Sequence, residues 1–194
     1  MILGIVGLHG AGKEEVAKIL SHKGFTVLDM GDVIREEMEK AGIAITHESD
    51  QKFPVELRKK RGNEIVAKLI VEKLEKLNAR DVAIIGLRST YELDYFKSNM
   101  PGMVLVAVDA PEELRFERLK ARGRPGDPKT FAEFHARGER EAKANADNEE
   151  QRKAGLYTVI GMANYRIENI GTKKELEAEV GKTLAIIRKA YHSN

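Results

Sequence analysis

The chain of 194 residues contains no cysteine and no tryptophan, and only 6% of its residues are aromatic. Without cysteine it forms neither a disulfide framework nor a thiolate metal site. No apolar run reaches the roughly 20 residues that cross a bilayer, and the net charge of +2 indicates neither nucleic acid nor an anionic membrane as a partner. No basic region precedes the first apolar segment, so we expect no signal peptide and a cytoplasmic location.

What the chain has in quantity is charge. Lys, Arg, Asp and Glu make up 33% of the residues, and hydrophobic residues make up 42%. The hydrophobic fraction is typical of a globular protein, and the length suffices for one domain with a sizeable core. A high charged fraction without Cys or Trp favours a thermophilic source. We predict a single domain over residues 1–194 and find no sequence signal for an oligomeric state.

The most specific motif is a glycine-rich segment between an apolar run at residues 1–6 and a helical pattern at residues 14–22. A strand, a glycine-rich turn and a helix in this order form a P-loop, in which backbone N–H groups and the helix N-terminus bind phosphate. A turn that only joins the two elements is the alternative, and the spacing favours the P-loop. The predicted nucleotide-binding residues of the turn are Gly7, Leu8, His9, Gly10, Ala11, Gly12 and Lys13.

The residue after Lys13 departs from the P-loop pattern, which has Ser or Thr there to bind Mg²⁺. In this chain the residue is Glu14. A carboxylate oxygen is a good magnesium ligand, so Glu14 is a candidate for contact with both the nucleotide and its metal ion. The alternative is that Glu14 points away from the phosphates and only stabilises the positive end of the helix dipole.

Apolar runs alternate with helical patterns along the rest of the chain. This alternation predicts a parallel sheet with helices on both faces. Strands are expected at residues 1–6, 25–28, 81–86, 103–108 and 165–170. The predicted fold is therefore α/β, a three-layer sandwich of the P-loop NTPase class with a five-stranded parallel sheet.

Two segments are predicted to extend from this core. Residues 31–80 form a helical insert, with a long helix over residues 54–77 that breaks near Gly62. Residues 123–155 are highly charged and poor in large apolar side chains, so we expect a lid that moves when nucleotide binds. A helical pair that is docked permanently on the core is the alternative.

Four further segments follow the P-loop, namely Met30–Arg35, Gly86–Ser89, Glu117–Arg122 and Ala163–Gly171. With the P-loop they resemble the nucleoside-monophosphate kinase superfamily, and within it dephospho-CoA kinases, adenylate kinases and an archaeal group of related proteins. The resemblance covers nearly the whole chain. It implies transfer of a phosphoryl group from ATP, with Mg²⁺, to a small anionic acceptor that binds at the 31–80 insert.

The resemblance also implies roles for individual residues. Arg35 and Arg88 are expected to bind the acceptor, and each follows a predicted strand at the sheet edge where ligands bind. Arg118 is expected to stack on the adenine of ATP, near the loop that contains Gly171. Arg122 is expected to contact phosphate, and its neighbours in the chain lead into the predicted lid.

The catalytic carboxylate is assigned among two aspartates. Asp32 is a candidate ligand of Mg²⁺ and a candidate acceptor of the substrate's proton, and with Lys13 and Arg122 it completes the predicted catalytic set. The alternative role of Asp32 is the N-cap of the following helix, and Asp29 has the same alternatives. This Asp pair is spaced one residue wider than in dephospho-CoA kinases, and Ile85 stands where adenylate kinases carry an acidic residue.

Two functions are compatible with these residues. The first is an ATP-dependent small-molecule kinase whose acceptor is a nucleoside monophosphate or a dephospho-CoA-like compound. The second is a nucleotide-binding regulatory or interaction protein with little or no kinase activity. The residues Glu14 and Ile85 favour the second function, and the ordered set of motifs favours the first.

Overall fold

The computed structural model of the protein describes residues 1–124, 126–143 and 155–191. At its centre is one sheet in the order β2-β3-β1-β4-β5, in which every neighbouring pair of strands is parallel. The strands are short and apolar because both faces of the sheet are covered. In chain order they are β1 (Ile2–Val6), β2 (Thr26–Asp29), β3 (Val82–Ile85), β4 (Val104–Asp109) and β5 (Tyr165–Glu168). The predicted five-stranded parallel sheet is confirmed.

Helices complete the three layers within the described residues. They are α1 (Lys13–His22), α2 (Met30–Lys40), α3 (His47–Arg61), α4 (Ile65–Leu77), α5 (Thr90–Asn99), α6 (Glu112–Arg122), α7 (Phe131–Lys143), α8 (Leu156–Gly161) and α9 (Lys173–Tyr191). One core cluster joins a face of the sheet to α2, α4, α5 and α8, and a second joins the other face to α1 and α9. In the described part of the chain, every helix is too short or too polar to cross a membrane.

The helical insert differs from its prediction. The expected helix over residues 54–77 is two helices, α3 and α4, and the predicted break at Gly62 lies between them. Gly62 has φ 101°, a conformation that other residues rarely adopt, so the break occurs where glycine permits it. The helix α3 also begins earlier than expected, because Thr46 and Ser49 form a capping box at its N-terminus.

The carboxyl ends of the strands lie along one edge of the sheet. Ile85 at the end of β3 is in register with Ile5 of β1 on one side and with Asp29 of β2 on the other. The turns after β1, β2 and β3 therefore start side by side, and neighbouring strands of a sheet lie about 4.8 Å apart. This edge, where ligands bind in open α/β sheets, carries the predicted site residues.

Candidate active site

The P-loop joins β1 to α1 as predicted. Gly12 is the residue before the first turn of α1, and its φ of 101° is left-handed. Lys13 folds back over the turn and donates hydrogen bonds from Nζ to the carbonyl oxygens of Gly7, at 2.8 Å, and Leu8, at 3.0 Å. An ammonium group and a helix N-terminus thus lie at the same turn, and both attract an anion.

Two glycines of the P-loop are required by close packing as well as by φ. A Cβ atom at Gly10 would lie 2.6 Å from the carbonyl oxygen of Arg115, and one at Gly12 would lie 2.1 Å from Nδ2 of Asn169. The Asn169 side chain is buried and donates from Nδ2 to the carbonyl oxygen of Ala11 at 2.8 Å. The P-loop therefore packs tightly against α6 and against the loop after β5.

Arg118 and the loop after β5 meet beside the P-loop. The guanidinium Nη2 of Arg118 donates to the backbone oxygen of Asn169, at 2.9 Å, and to its Oδ1, at 3.1 Å. Nη1 donates to the carbonyl oxygen of Ala11 at 3.4 Å. Burial lowers the pKa of Arg118. The structure thus brings together the residues that were predicted to surround the adenine, since Gly171 follows Asn169 in this loop.

Glu14 faces two arginines at the entrance of the predicted lid. Its Oε2 accepts a hydrogen bond from Nη2 of Arg124 at 3.0 Å, its Oε1 accepts one from Nη1 at 3.3 Å, and Nη1 of Arg122 lies 3.5 Å from Oε1. Arg122 donates to both oxygens of Asp127, at 2.5 and 3.0 Å, and lies 3.2 Å from Nε2 of His9. Arg122 holds the pKa of Asp127 below its ordinary value.

Part of the predicted lid packs on the core. Phe116 of α6 contacts Phe131 and Phe134 of α7, with ring centroids 5.5 and 5.7 Å apart. Arg115 of α6 contacts both the P-loop and α7. It donates to the carbonyl oxygen of His9 at 3.3 Å and lies 5.1 Å from the ring centroid of Phe134. Residue 125 and residues 144–154 of the predicted lid lie outside the described residues. The closing motion stays a prediction.

The two aspartates after β2 have different partners. Asp29, not Asp32, is the N-cap of α2, and its Oδ1 accepts a hydrogen bond from the N–H of Gly31 at 2.8 Å. A Cβ atom at Gly31 or at Gly86 would lie 3.2 Å from this oxygen, so the carboxylate fits between two glycine turns. Burial raises the pKa of Asp29. Asp32 instead accepts a hydrogen bond from Nη2 of Arg35 at 2.6 Å.

The two predicted acceptor-binding arginines differ in their partners. Arg35 pairs with Asp32, and Oδ1 of Asp50 lies 3.8 Å from its Nη1. These carboxylates raise the pKa of Arg35. Arg88 is exposed, and among residues 1–124, 126–143 and 155–191 its guanidinium has no hydrogen-bond or ion-pair partner. Arg88 thus presents an unneutralised cation at the end of β3.

A buried carboxylate that the sequence prediction missed fixes the turn of Arg88. Glu92 of α5 has 0% exposure, and its Oε2 accepts from the backbone N–H groups of Arg88, at 2.9 Å, and Ser89, at 3.2 Å. Its Oε1 accepts from Nη2 of Arg58, on α3, at 2.8 Å. The Ser-x-x-Glu spacing is a capping-box signal that points to the local contact. Nothing local indicates Arg58, which lies 34 residues away along the chain.

The predicted metal ligands, Glu14 and Asp32, each contact an arginine. Within the part of the chain that the structure describes, no cluster of three or more His, Asp or Glu side chains could hold a metal ion. Magnesium in kinases is held largely by phosphate oxygens and water, with one or two carboxylates from the protein. The negative charges of Asp32 and Glu14 add to burial in raising the pKa of Asp29.

A parallel sheet whose central strand leads through a glycine-rich turn and a lysine into a helix defines a P-loop protein. The chain belongs to the AAA domain family, whose model AAA_18 matches residues 3–153, and it is a relative of the UPF0200 proteins. It is 39% identical over 186 residues to the UPF0200 protein of Thermococcus kodakarensis, and the aligned residues cover 94% of this chain and 95% of that relative.

Solved structures share the fold over nearly the whole chain. TT1252 from Thermus thermophilus matches 95% of this chain and 96% of its own, with a TM-score of 0.57 and 25% identity. A shikimate kinase from Bacteroides thetaiotaomicron matches 97% of this chain and 98% of its own, with a TM-score of 0.56 and 16% identity. Family and fold together confirm membership of the P-loop superfamily that includes the nucleoside-monophosphate kinases.

Proposed function

We propose that the protein is a kinase that transfers the terminal phosphoryl group of ATP to a small anionic acceptor. The observation that carries this proposal is the position of its cations along one sheet edge. Lys13 begins α1 directly after the turn that follows β1. Arg88 follows β3, which is the strand beside β1, and Arg35 lies in the helix after β2. Phosphoryl transfer needs little covalent help from the protein, but it needs two aligned substrates and cations around the transferred group.

The donor side is the P-loop. Backbone N–H groups of residues 7–13 and the ammonium of Lys13 would hold the phosphates, and Arg118 with the loop of Gly171 would flank the adenine. Arg122 and Arg124 lie within hydrogen-bonding or ion-pairing distance of residues in the P-loop and the first turn of α1. Fixed cations of this kind stabilise negative charge in the transition state without reorganisation.

The acceptor side lies between β2 and β3. Arg88 and Arg35 would hold an anionic group of the acceptor, because a planar guanidinium binds carboxylate or phosphate through paired hydrogen bonds. Asp29 is better placed than Asp32 to receive the proton of the attacking hydroxyl, since its raised pKa brings it nearer the range of a general base. Mg²⁺ that arrives with ATP would neutralise phosphate charge, and Asp32 is the carboxylate that would hold it on this side.

A phosphotransfer screen tests the proposed function. The purified protein is incubated with ATP and Mg²⁺ and with nucleoside monophosphates, dephospho-CoA or hydroxylated carboxylic acids such as shikimate, and formation of ADP is followed. We expect one acceptor class to give ADP formation that Lys13→Ala abolishes. Lys18→Ala is the matched control, because Lys18 pairs with Glu15 on the surface of α1.

A nucleotide-binding regulatory protein is the second candidate function. It is favoured by Glu14, which replaces the metal-binding hydroxyl and pairs with the arginines that a kinase would use. In this case ATP binds and Lys13→Ala weakens its binding, but no acceptor in the screen increases ADP formation.

A further inference from the structure

We propose that Glu14 is the resident counter-ion of the lid-entrance arginines: it holds Arg124 and Arg122 beside the P-loop until the phosphates of a nucleotide take its place. This inference rests on the proposed nucleotide site. It assigns Glu14 a positioning role that differs from the role of the hydroxyl usually found after the P-loop lysine.

The contact is tertiary and involves both oxygens of the carboxylate. Glu14 and Arg124 are 110 residues apart in the chain, yet two hydrogen bonds join them at 3.0 and 3.3 Å. Arg122 is the second cation at this carboxylate, at 3.5 Å, and Asp127 anchors it from the other side. The lid entrance is thus tied to the first turn of α1 by charge-assisted hydrogen bonds and an ion pair.

The chemistry of the partners makes this contact exchangeable. A guanidinium binds a carboxylate and a phosphate through the same paired geometry, so Glu14 and a nucleotide phosphate compete for the same donors. In charge, the carboxylates of Glu14 and Asp127 balance the guanidiniums of Arg122 and Arg124. A phosphate entering this turn adds negative charge, which repels Glu14 and attracts the arginines. A serine or threonine hydroxyl could not neutralise the arginines in this way.

The competing interpretation is that Glu14 ligates Mg²⁺, and the two interpretations predict opposite results for Glu14→Gln. If Glu14 is a counter-ion, the neutral amide releases Arg124, and ATP binds up to about fivefold more tightly with or without Mg²⁺, which is the upper limit expected for an exposed ion pair. If Glu14 is a metal ligand, ATP binds more weakly, and only when Mg²⁺ is present.

Calorimetric titration with ATP, in Mg²⁺ and in EDTA, separates these outcomes. The proteins are the wild type, Glu14→Gln, Arg124→Gln and the double variant. We expect Glu14→Gln to tighten binding in both buffers and to have a smaller effect once Arg124 is replaced, because only Arg122 then remains beside the carboxylate. Glu15→Gln is the matched control, because Glu15 pairs with Lys18 and Lys173 on the helix surface and should leave ATP affinity unchanged.

A measurement without nucleotide keeps the inference separate from the proposed function. Hydrogen exchange of the amides at residues 122–124 should be faster in Glu14→Gln than in the wild type, and unchanged in Glu15→Gln. A wild type that binds no ATP contradicts the proposed function, while the exchange experiment still tests the contact. Unchanged exchange in Glu14→Gln, or a loss of ATP affinity confined to Mg²⁺, overturns the counter-ion role.

Discussion

Among the residues near Arg35 and Arg88, Glu92 should be the one whose substitution lowers the free energy of unfolding most. Glu92→Ala removes the acceptor of three hydrogen bonds, from Arg58 and from the backbone of Arg88 and Ser89. Breaking a fully buried ion pair costs about 3–5 kcal/mol, but the Arg58 side chain is 26% exposed and recovers part of its hydration. The backbone N–H groups of Arg88 and Ser89 also lose their acceptor, which adds about 1 kcal/mol. We expect the free energy of unfolding to fall by about 3 kcal/mol.

Urea denaturation of three variants measures this loss. Glu92→Gln keeps one side-chain oxygen as an acceptor and should lose about 1–2 kcal/mol. The matched control is Glu48→Ala, since Glu48 is 75% exposed in an ion pair with Lys52 and its loss should cost about 0.3–0.5 kcal/mol. If the free energy of unfolding of Glu92→Ala lies within about 1 kcal/mol of the wild-type value, the ion pair does not join α3 to the turn of Arg88 in the way we describe.

Four further predictions concern the other parts of the site. Lys13→Ala should weaken ATP binding by about 1.5–3 kcal/mol in calorimetry, because a charge-assisted contact is lost; equal affinity would contradict binding at the P-loop. Arg88→Ala should keep ATP affinity and lose transfer to the acceptor found by the screen, and a folded variant that no longer binds ATP would argue against an acceptor role. The Asp127–Arg122 pair lowers the pKa of Asp127, so the pair stabilises the folded protein above the unfolded pKa of Asp127, and this stabilisation is lost as the pH falls through the lower folded pKa. The difference in free energy of unfolding between wild type and Asp127→Asn should therefore start to close below about pH 4. A difference that persists in acid would exclude the ion pair as its cause. Gly12→Ala should lower the melting temperature more than Gly24→Ala, because both have left-handed φ but only the Cβ at Gly12 meets another atom, Nδ2 of Asn169; equal shifts would mean that the clash is relieved cheaply.

The helical insert shows why a sequence pattern can predict an element and misplace its ends. The apolar spacing within residues 54–77 correctly indicated helix, because one buried face every 3.6 residues is a local property. The glycine at 62 correctly marked the break, since its φ is unfavourable for other residues. The early start of α3 depends on hydrogen bonds between Thr46 and Ser49, which lie outside the apolar spacing that predicted the helix.

The aspartates after β2 show the same limit in the site. Both were candidates for the helix cap, and the sequence favoured neither by spacing alone. The structure selects Asp29 because the end of β2 is in register with Ile85, which places Gly86 against its carboxylate. This leaves Asp32 in the first turn of α2, where Arg35 is its natural partner at i+3.

The sequence by itself determined the features that act over a few residues: the apolar strands, the glycine-rich turn with Lys13, and the positions of Arg35 and Arg88 after their strands. Periodicity, capping and turn geometry are local, so they can be read without the fold. Only the tertiary structure decided the long-range partners, namely Arg124 for Glu14, Arg58 for Glu92 and Asn169 for Arg118. Such pairs depend on which elements the parallel sheet brings together, because a charged side chain can pair with any of many opposite charges until packing selects one.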